Sequence, residues 1–319
     1  MAPRRTAEID RLLDEAQGKG ACLSVHDRAL RAALERRVGH GLVSPRPSLY
    51  ARKAYWEGLP RRQRELHILR GQAGRHPNWT FCFASAALLY GLPISFGRLK
   101  KCHVLGTGTA HSSLARRHYV RRRGVVLDGV RVTSFEDTIV DCLLTLGFDE
   151  GLVIADAALA RLGVTRERMA ELVLRLGKGR SGLDDALACV AWADARSESG
   201  GESMGRAVMI RHGFMLPELQ VVVGNANCEG ESWRCDYLWH LADGTTVAGE
   251  LDGHEKYVNP EMTKGRDAVA VMSNERMRES QLTLYVDRIM RFSYADIVNE
   301  ERLVAKLEKF GIPRVSQGS

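Results

Sequence analysis

The sequence lacks the features of membrane-inserted, secreted and disulfide-stapled proteins. No stretch approaches about 18 uncharged apolar residues, so no transmembrane helix is expected. The amino terminus contains Arg4, Arg5, Glu8 and Asp10 and lacks the apolar centre of a signal peptide. The cysteines are odd in number and form no C-x-x-C pair, which argues against a disulfide framework or a zinc site. We therefore expect a cytoplasmic protein that does not associate with membranes.

Charge is distributed unevenly along the chain. Residues 1–123 contain 24 Lys or Arg and 8 Asp or Glu, a net charge of +16. The remaining residues contain 22 basic and 31 acidic side chains, a net charge of −9. A basic front half favours contact with a polyanion, and DNA is the leading candidate. A solvated arginine-rich surface is the alternative interpretation.

The first part of the chain predicts helices followed by a small β-ribbon. An amphipathic helix through Leu30, Leu34 and Val38 precedes a short hairpin over residues 42–51. This order is the outline of a winged helix-turn-helix domain, whose helices and ribbon dock on DNA. Simple helical packing is the alternative. In the docking interpretation, four basic residues lie near the phosphates: Arg28, Arg31, Arg36 and Arg37.

The middle of the chain is predicted to form several strands and one helix with capping or stop residues at both ends. Ser85 is expected as the N-cap of a two-turn helix, Gly91 as its left-handed C′ residue, and Pro93 as its stop. Strand character over residues 100–133 predicts a basic stripe with one aromatic residue, suited to phosphates, on one face of a strand. A charged solvent face is the alternative. The stripe comprises Arg117, Tyr119, Arg121 and Arg123.

The remainder of the chain predicts a helical segment, a linker and a final α/β domain. Asp156, within the helical segment 135–195, is expected to be a surface or capping residue. Residues 196–201, rich in Ser and Gly, are interpreted as a linker. The final domain is expected to run helix 202–212, strands 220–223, 233–239 and 246–252, helix 262–281, strand 284–292 and helix 300–310. The predicted domains are 1–78, 79–196 and 197–319.

Two short stretches of the final domain place acidic residues opposite one another. Asp236 and Glu250 lie on strands separated by Ala242-Asp243-Gly244, a hairpin signal. A three-residue loop centred on Asp243 puts Asp236 directly opposite Glu250, with Asp252 on the same face. Opposed like charges destabilise a sheet, so three carboxylates on one face predict a divalent cation. The chain shows no Ser-His-Asp or Cys-His arrangement, and such a metal site would hydrolyse phosphodiesters without a nucleophilic side chain.

Several motifs together resemble a known group of bacterial proteins. They are Ser85 to Pro93, Ser197-Glu198-Ser199-x-x-Glu202-Ser203-x-x-Arg206, Pro217-x-x-Gln220, and Glu250-Leu251-Asp252-Gly253-x-x-Lys256-Tyr257. With the order of elements above, the back half resembles the PD-(D/E)XK nuclease superfamily, particularly the branch related to very-short-patch-repair endonucleases. The front half resembles the antitoxin of abortive-infection, type IV toxin–antitoxin systems. The resemblance implies a restriction-endonuclease-like mixed sheet flanked by helices, after a winged-helix-like domain and a small α+β domain.

The resemblance also implies roles for individual residues. Asp236 and Glu250 would hold Mg²⁺ or Mn²⁺, helped by the backbone carbonyl of Leu251. Position 252, where such nucleases carry lysine, is Asp. Asp252 would then be a third ligand, or Lys256 would supply the missing cation.

Two further polar residues belong to the predicted site. Glu202 is either part of an S-x-x-E capping box with Ser199 or an orienting residue for the ligands. Gln220 either contacts water or a ligand, or is a polar residue at a strand edge.

Two functions follow as competing hypotheses. The first is a magnesium-dependent endodeoxyribonuclease. The second is a non-catalytic DNA-binding regulator of antitoxin type, with a toxin protein as its partner and a degenerate nuclease fold. An inert partner-binding scaffold is a third possibility.

Overall fold

A computed structural model describes residues 3–106, 113–224, 232–252 and 282–315. The protein is a mixed α/β protein with several small sheets. Its chain divides into two compact units, Met1–Cys142 and Leu143–Ser319. The three domains predicted from the sequence remain a prediction, and their boundary at residue 196 falls within the second unit.

The first unit opens with helices around a three-stranded sheet. The predicted ribbon is present, with Leu42 paired to Arg52 and Val43 to Ala51. Leu34, Leu42 and Tyr50 are buried together in a small core. The elements are α1 (Pro3–Gly18), β1 (Leu23–Ser24), α2 (Arg28–Glu35), β2 (Leu42–Arg46), β3 (Leu49–Arg52), α3 (Lys53–Gly58) and α4 (Arg61–Arg75), and the sheet order is β1-β3-β2.

The rest of the first unit combines one buried helix with two strand pairs. The helix begins at Phe83 with Cys82 as its N-cap, so the prediction that Ser85 caps it is wrong. Ser85 lies inside the helix, where its hydroxyl accepts a hydrogen bond from the His103 amide at 2.9 Å. Gly91 has φ +88°, as the C′ prediction requires. The elements are α5 (Phe83–Leu89), β4 (Cys102–Leu105), β5 (Ala115–His118), β6 (Gly124–Leu127), β7 (Val130–Thr133) and α6 (Phe135–Leu143).

The second unit begins with a helical layer and continues into a mixed sheet. The helices are α7 (Phe148–Leu162), α8 (Arg166–Gly177), α9 (Leu183–Trp192) and α10 (Gly200–Arg211). The strands are β8 (Glu218–Gly224), β9 (Ser232–His240), β10 (Thr246–Asp252) and β11 (Arg288–Ser293), followed by helices α11 (Tyr294–Val298) and α12 (Glu300–Lys309). The expected helix over 262–281 lies outside the described residues.

The sheet of the second unit has the order β11-β10-β9-β8. Strands β8, β9 and β10 are antiparallel neighbours, whereas β11 runs parallel to β10. The hairpin register predicted from Asp243 is confirmed over its described pairs, which place Thr246 opposite His240 and Gly249 opposite Tyr237. The Leu241 amide donates to the Thr245 carbonyl at 2.8 Å and closes the three-residue loop. Asp236 and Glu250 occupy the next positions along these two strands.

Two cores cover the two faces of this sheet. The helix-side core contains Val208 and Met209 of α10 with Tyr237, Trp239 and Leu303. The opposite-face core contains Cys235, Leu238, Ala248 and Leu282. None of the helices in the described part of the chain has both the length and the apolarity needed to cross a membrane.

Candidate functional site

The residues expected to carry chemistry meet where α10 begins beside strands β8 and β9. Ser199 caps α10, and its hydroxyl accepts a hydrogen bond from the Glu202 amide at 3.1 Å. The return half of the predicted capping box is shifted by one residue, because Glu202 Oε2 accepts from the Glu198 amide at 2.9 Å. The Glu202 carboxylate is therefore held in place as well as used in capping.

Gln220 joins this carboxylate to a second one. Its side-chain nitrogen donates to Glu202 Oε2 at 3.0 Å and to Asp236 Oδ1 at 3.4 Å. The other oxygen of Asp236, Oδ2, accepts from the Leu251 amide at 3.0 Å. One amide nitrogen thus lies between two carboxylates, at a place where their negative potentials add.

The backbone at Gln220 departs from regular strand geometry. Its φ is +54°, which a side chain with a Cβ adopts at a cost of roughly 1–3 kcal/mol. The side chains of both strands change sides at this point. On β8, Leu219 packs in the helix-side core, but Val221, two residues on, packs in the opposite-face core. On β9, Tyr237 packs in the helix-side core and Cys235 in the opposite-face core. The switch brings Gln220 and Asp236 toward Glu202.

Electrostatics at the site are unfavourable for two negative charges. Glu202 is only 6% exposed, and burial raises the pKa of its carboxyl, with the nearby charge of Asp236 adding to the shift. Among the described residues, no Lys or Arg forms an ion pair with Glu202 or Asp236. The carbonyl oxygen of Gln220 is buried and has no hydrogen-bond partner in the same part of the chain.

These donors fit a hard divalent cation. Two carboxylates and an amide carbonyl are oxygen ligands of the kind that Mg²⁺ and Mn²⁺ prefer. Such an ion would relieve the repulsion between the acids. Turning the Gln220 amide over would present its buried, unpartnered oxygen to the ion in place of its nitrogen.

The predicted trio of Asp236, Glu250 and Asp252 is not gathered as the hairpin argument expects. Along β10, Leu251 packs toward the helix-side core and Ala248 toward the opposite-face core, so regular alternation assigns Glu250 and Asp252 to the Ala248 side. Within the residues that the structure describes, no group of three Asp, Glu, His or Cys could hold a metal ion. The structure instead joins Asp236 to Glu202 and Gln220. Lys256 lies outside the described residues.

The predicted DNA-contacting arginines of α2 fall into two classes. Arg28 begins the helix and Arg36 caps its end, and both are exposed. Arg31 donates to the His26 carbonyl at 3.3 Å, and Arg37 forms an ion pair with Asp10 at 3.2 Å. Arg28 and Arg36 are therefore the more accessible pair.

The predicted basic stripe does not lie on one strand. Strand β5 ends at His118, so Arg117 lies on it but Arg121 and Arg123 do not, and the shared-face prediction is wrong. Arg121 and Arg123 are exposed. Arg122 between them is drawn inward, because it forms ion pairs with Asp137 at 3.1 Å and with the fully buried Asp141 at 2.9 Å.

Sequence reasoning missed one pair of buried charged residues. Asp156, expected at the surface, is 1% exposed and forms an ion pair with Arg206 at 2.8 Å. A lone acid in an alanine-rich helix was the available signal, since a buried carboxylate needs a partner.

The cysteines found among the described residues are free and buried. Burial raises the pKa of the Cys22 thiol to about 12 and that of Cys102 to about 11. These thiols are therefore poor nucleophiles at neutral pH.

The chain is similar to two curated proteins of Mycobacterium tuberculosis. They are uncharacterized protein MT2308 of strain CDC 1551 / Oshkosh and uncharacterized protein Rv2248 of strain ATCC 25618 / H37Rv. Each is 31% identical over 182 residues, which cover 56% of this chain and 64% of the relative. The chain thus spans less than two thirds of the length of these relatives. Neither a family model nor a solved structure matches the chain.

Proposed function

We propose that the Leu143–Ser319 unit hydrolyses DNA phosphodiester bonds with the help of Mg²⁺ or Mn²⁺ held by Glu202, Gln220 and Asp236. One observation carries the proposal: two carboxylates share a single amide between them, without a basic partner among the described residues. When bound, the cation would polarise the phosphoryl oxygen and lower the pKa of a bound water.

The protein's own residues would perform the remaining tasks. The Glu198 amide and the Ser199 cap fix Glu202, and the Leu251 amide fixes Asp236. Fixed ligands need no reorganisation when a phosphate arrives, which favours the transition state. Glu250 and Asp252, which alternation along β10 assigns to the opposite face of the sheet, take no part in this set of ligands.

The order of elements also supports this proposal. A helix bearing Glu202 precedes three antiparallel strands, and a fourth strand follows beside the third. The order of these described elements resembles that of the PD-(D/E)XK nucleases, with Asp236 on the second strand and Glu250 on the third.

Plasmid nicking tests the nuclease proposal. The full chain is expected to convert supercoiled DNA to nicked or linear forms with Mg²⁺ or Mn²⁺ and to stop when EDTA is added. Asp236→Asn should reduce the rate at least about 100-fold, because it removes a charged ligand. Glu218→Gln is the matched control, since Glu218 lies on the same strand as Gln220 but is exposed. Cutting by Asp236→Asn at the wild-type rate would contradict the proposal.

A second candidate function rests on the basic front half. In it the protein is a DNA-binding regulator of antitoxin type, with a toxin protein as partner, and the sheet of the second unit is not catalytic. The net charge of +16 over residues 1–123 and the exposure of Arg28 and Arg36 support this candidate.

Salt-dependent DNA binding separates the two candidates. For a regulator, Arg28→Ala/Arg36→Ala should weaken duplex binding and reduce the slope of log affinity against log salt by about 2, near one unit for each phosphate that the protein no longer neutralises. Asp236→Asn should bind as the wild type does. Arg11→Ala is the control, because Arg11 is exposed but pairs with Glu15. An unchanged slope in the double variant would count against this role for α2.

A further inference from the structure

A buried ion pair joins three segments of the second unit. Asp156 on α7 is 1% exposed and Arg206 on α10 is 4% exposed, and Arg206 Nη1 donates to Asp156 Oδ2 at 2.8 Å. Asp156 Oδ1 accepts from the Asp194 amide at 2.7 Å, and Arg206 Nη2 donates to the Trp192 carbonyl at 2.6 Å. One carboxylate and one guanidinium therefore tie α7, the end of α9 and α10 together.

The pair does more to fix geometry than to add stability. Burial raises the pKa of Asp156, and the Arg206 charge opposes that shift without cancelling it. Taking two charges out of water offsets most of their mutual attraction, so well-packed apolar residues often stabilise a core equally well. What apolar residues do not provide is a directional hold on the Asp194 amide and the Trp192 carbonyl.

The segment held by the pair leads directly to Glu202. Ser197 is buried, and its hydroxyl is hydrogen-bonded to the Ser203 hydroxyl at 3.0 Å. The next residue, Glu198, provides the amide that binds Glu202 Oε2. Arg206 follows Glu202 by four residues and thus shares its side of α10. Residues 196–201, which the sequence predicts to be a linker, are therefore held by hydrogen bonds and form part of the site.

We propose that Asp156 and Arg206 are positioning residues, which hold the 194–199 segment and α10 so that the Glu202 carboxylate stays aligned with Gln220 and Asp236. The inference rests on the proposed hydrolytic function, because that function gives the alignment of Glu202 its purpose. It makes α7, far upstream in the sequence, part of the site.

The test uses the full chain carrying Asp156→Asn and Arg206→Met together. The pair is removed, the asparagine oxygen still accepts from the Asp194 amide, and no unpaired buried charge remains. We expect Mn²⁺ half-saturation, measured by calorimetry, to rise at least about tenfold, as is typical when the residues that support metal ligands are removed. At saturating Mn²⁺, kcat for nicking should fall while KM for DNA is unchanged.

Arg211→Gln is the matched control. Arg211 also joins α10 to α7, through Asp149 at 2.8 Å, but at the far end of the helix from Glu202. This variant should leave Mn²⁺ half-saturation and kcat unchanged. Equal effects of the two changes would show general loosening of the helix pair and overturn the proposal.

A second readout needs neither metal nor DNA. Hydrogen exchange at the Glu198 amide, which donates to Glu202 Oε2, should be at least about tenfold faster in the double variant. It should be unchanged in Arg211→Gln. Unchanged exchange at this amide in the double variant overturns the positioning role. Faster exchange in a protein that neither binds Mn²⁺ nor cuts DNA supports positioning and refutes the hydrolytic function.

A milder variant keeps the proposal testable if the double variant does not fold. Ser203→Ala removes the hydroxyl that contacts Ser197 and leaves both charges in place. It should raise Mn²⁺ half-saturation about two- to threefold and make the Glu198 amide exchange faster. No change in either quantity would overturn the proposal.

Discussion

Replacing Glu202 with Gln should stabilise the protein at pH 8 while removing its response to metal. Both Glu202 and Asp236 contact the Gln220 nitrogen, at 3.0 and 3.4 Å. Their oxygens therefore lie within about 6.5 Å of each other, where two charges repel by about 2–3 kcal/mol at an effective dielectric constant near 20. Both hydrogen bonds to Glu202 end on Oε2, so the single amide oxygen of Gln can accept both.

The expected gain in the free energy of unfolding is about 1–2 kcal/mol, since solvent and relaxation reduce the calculated repulsion. The pKa of Glu202 is raised in the folded state. The wild type therefore gains stability, relative to its value at pH 8, as the pH falls through that folded pKa. The advantage of Glu202→Gln should accordingly shrink at pH 5.

Urea unfolding at pH 8 and pH 5, with and without Mn²⁺, measures these effects. Mn²⁺ at about 100 times its dissociation constant should stabilise the wild type by about 2.7 kcal/mol and leave Glu202→Gln nearly unchanged. Glu218→Gln, on exposed β8 surface, is the control and should behave as the wild type. Loss of stability in Glu202→Gln at pH 8, or an equal response of both proteins to Mn²⁺, would refute the reasoning.

Two further predictions concern the scaffold of the site. Gly249→Ala should lower the free energy of unfolding, measured with urea, by at least about 2 kcal/mol, because the added methyl would lie 2.7 Å from Cζ3 of the buried Trp239 ring. Gly18→Ala is the control, since its added methyl meets nothing within 4 Å. Asp296→Asn should lower the free energy of unfolding by about 1–2 kcal/mol at pH 7 and by almost nothing at pH 2. The Ser293 amide and Lys306 lower the pKa of Asp296 to about 2, and the stability that a lowered pKa provides is lost as the pH falls through it. A loss that is equal at both pH values would contradict the second.

The hairpin is the part of the site that sequence reasoning predicted best. An Asp-Gly loop between two alternating strands fixes the register locally, and the observed pairs around Asp243 follow it. The β2–β3 ribbon and the C′ role of Gly91 were predictable for the same reason, since a few adjacent residues decide them. Ser85 shows the limit of this reasoning, because burial against His103 outweighed its preference for capping.

The sequence by itself determined the acidic pair of strands, their register, the basic front half and the absence of long apolar runs, because each depends on neighbours in the chain. Only the tertiary structure decided which acids meet. Regular alternation predicts Asp236 with Glu250 and Asp252. In the structure the side chains of β8 and β9 change faces beside Gln220, whose φ is positive, and Asp236 joins Glu202. Likewise, Ser197 lies in a segment that is held in place rather than in a linker, because Asp156 pairs with Arg206. Such contacts between residues distant in sequence are set by packing, which local pattern does not encode.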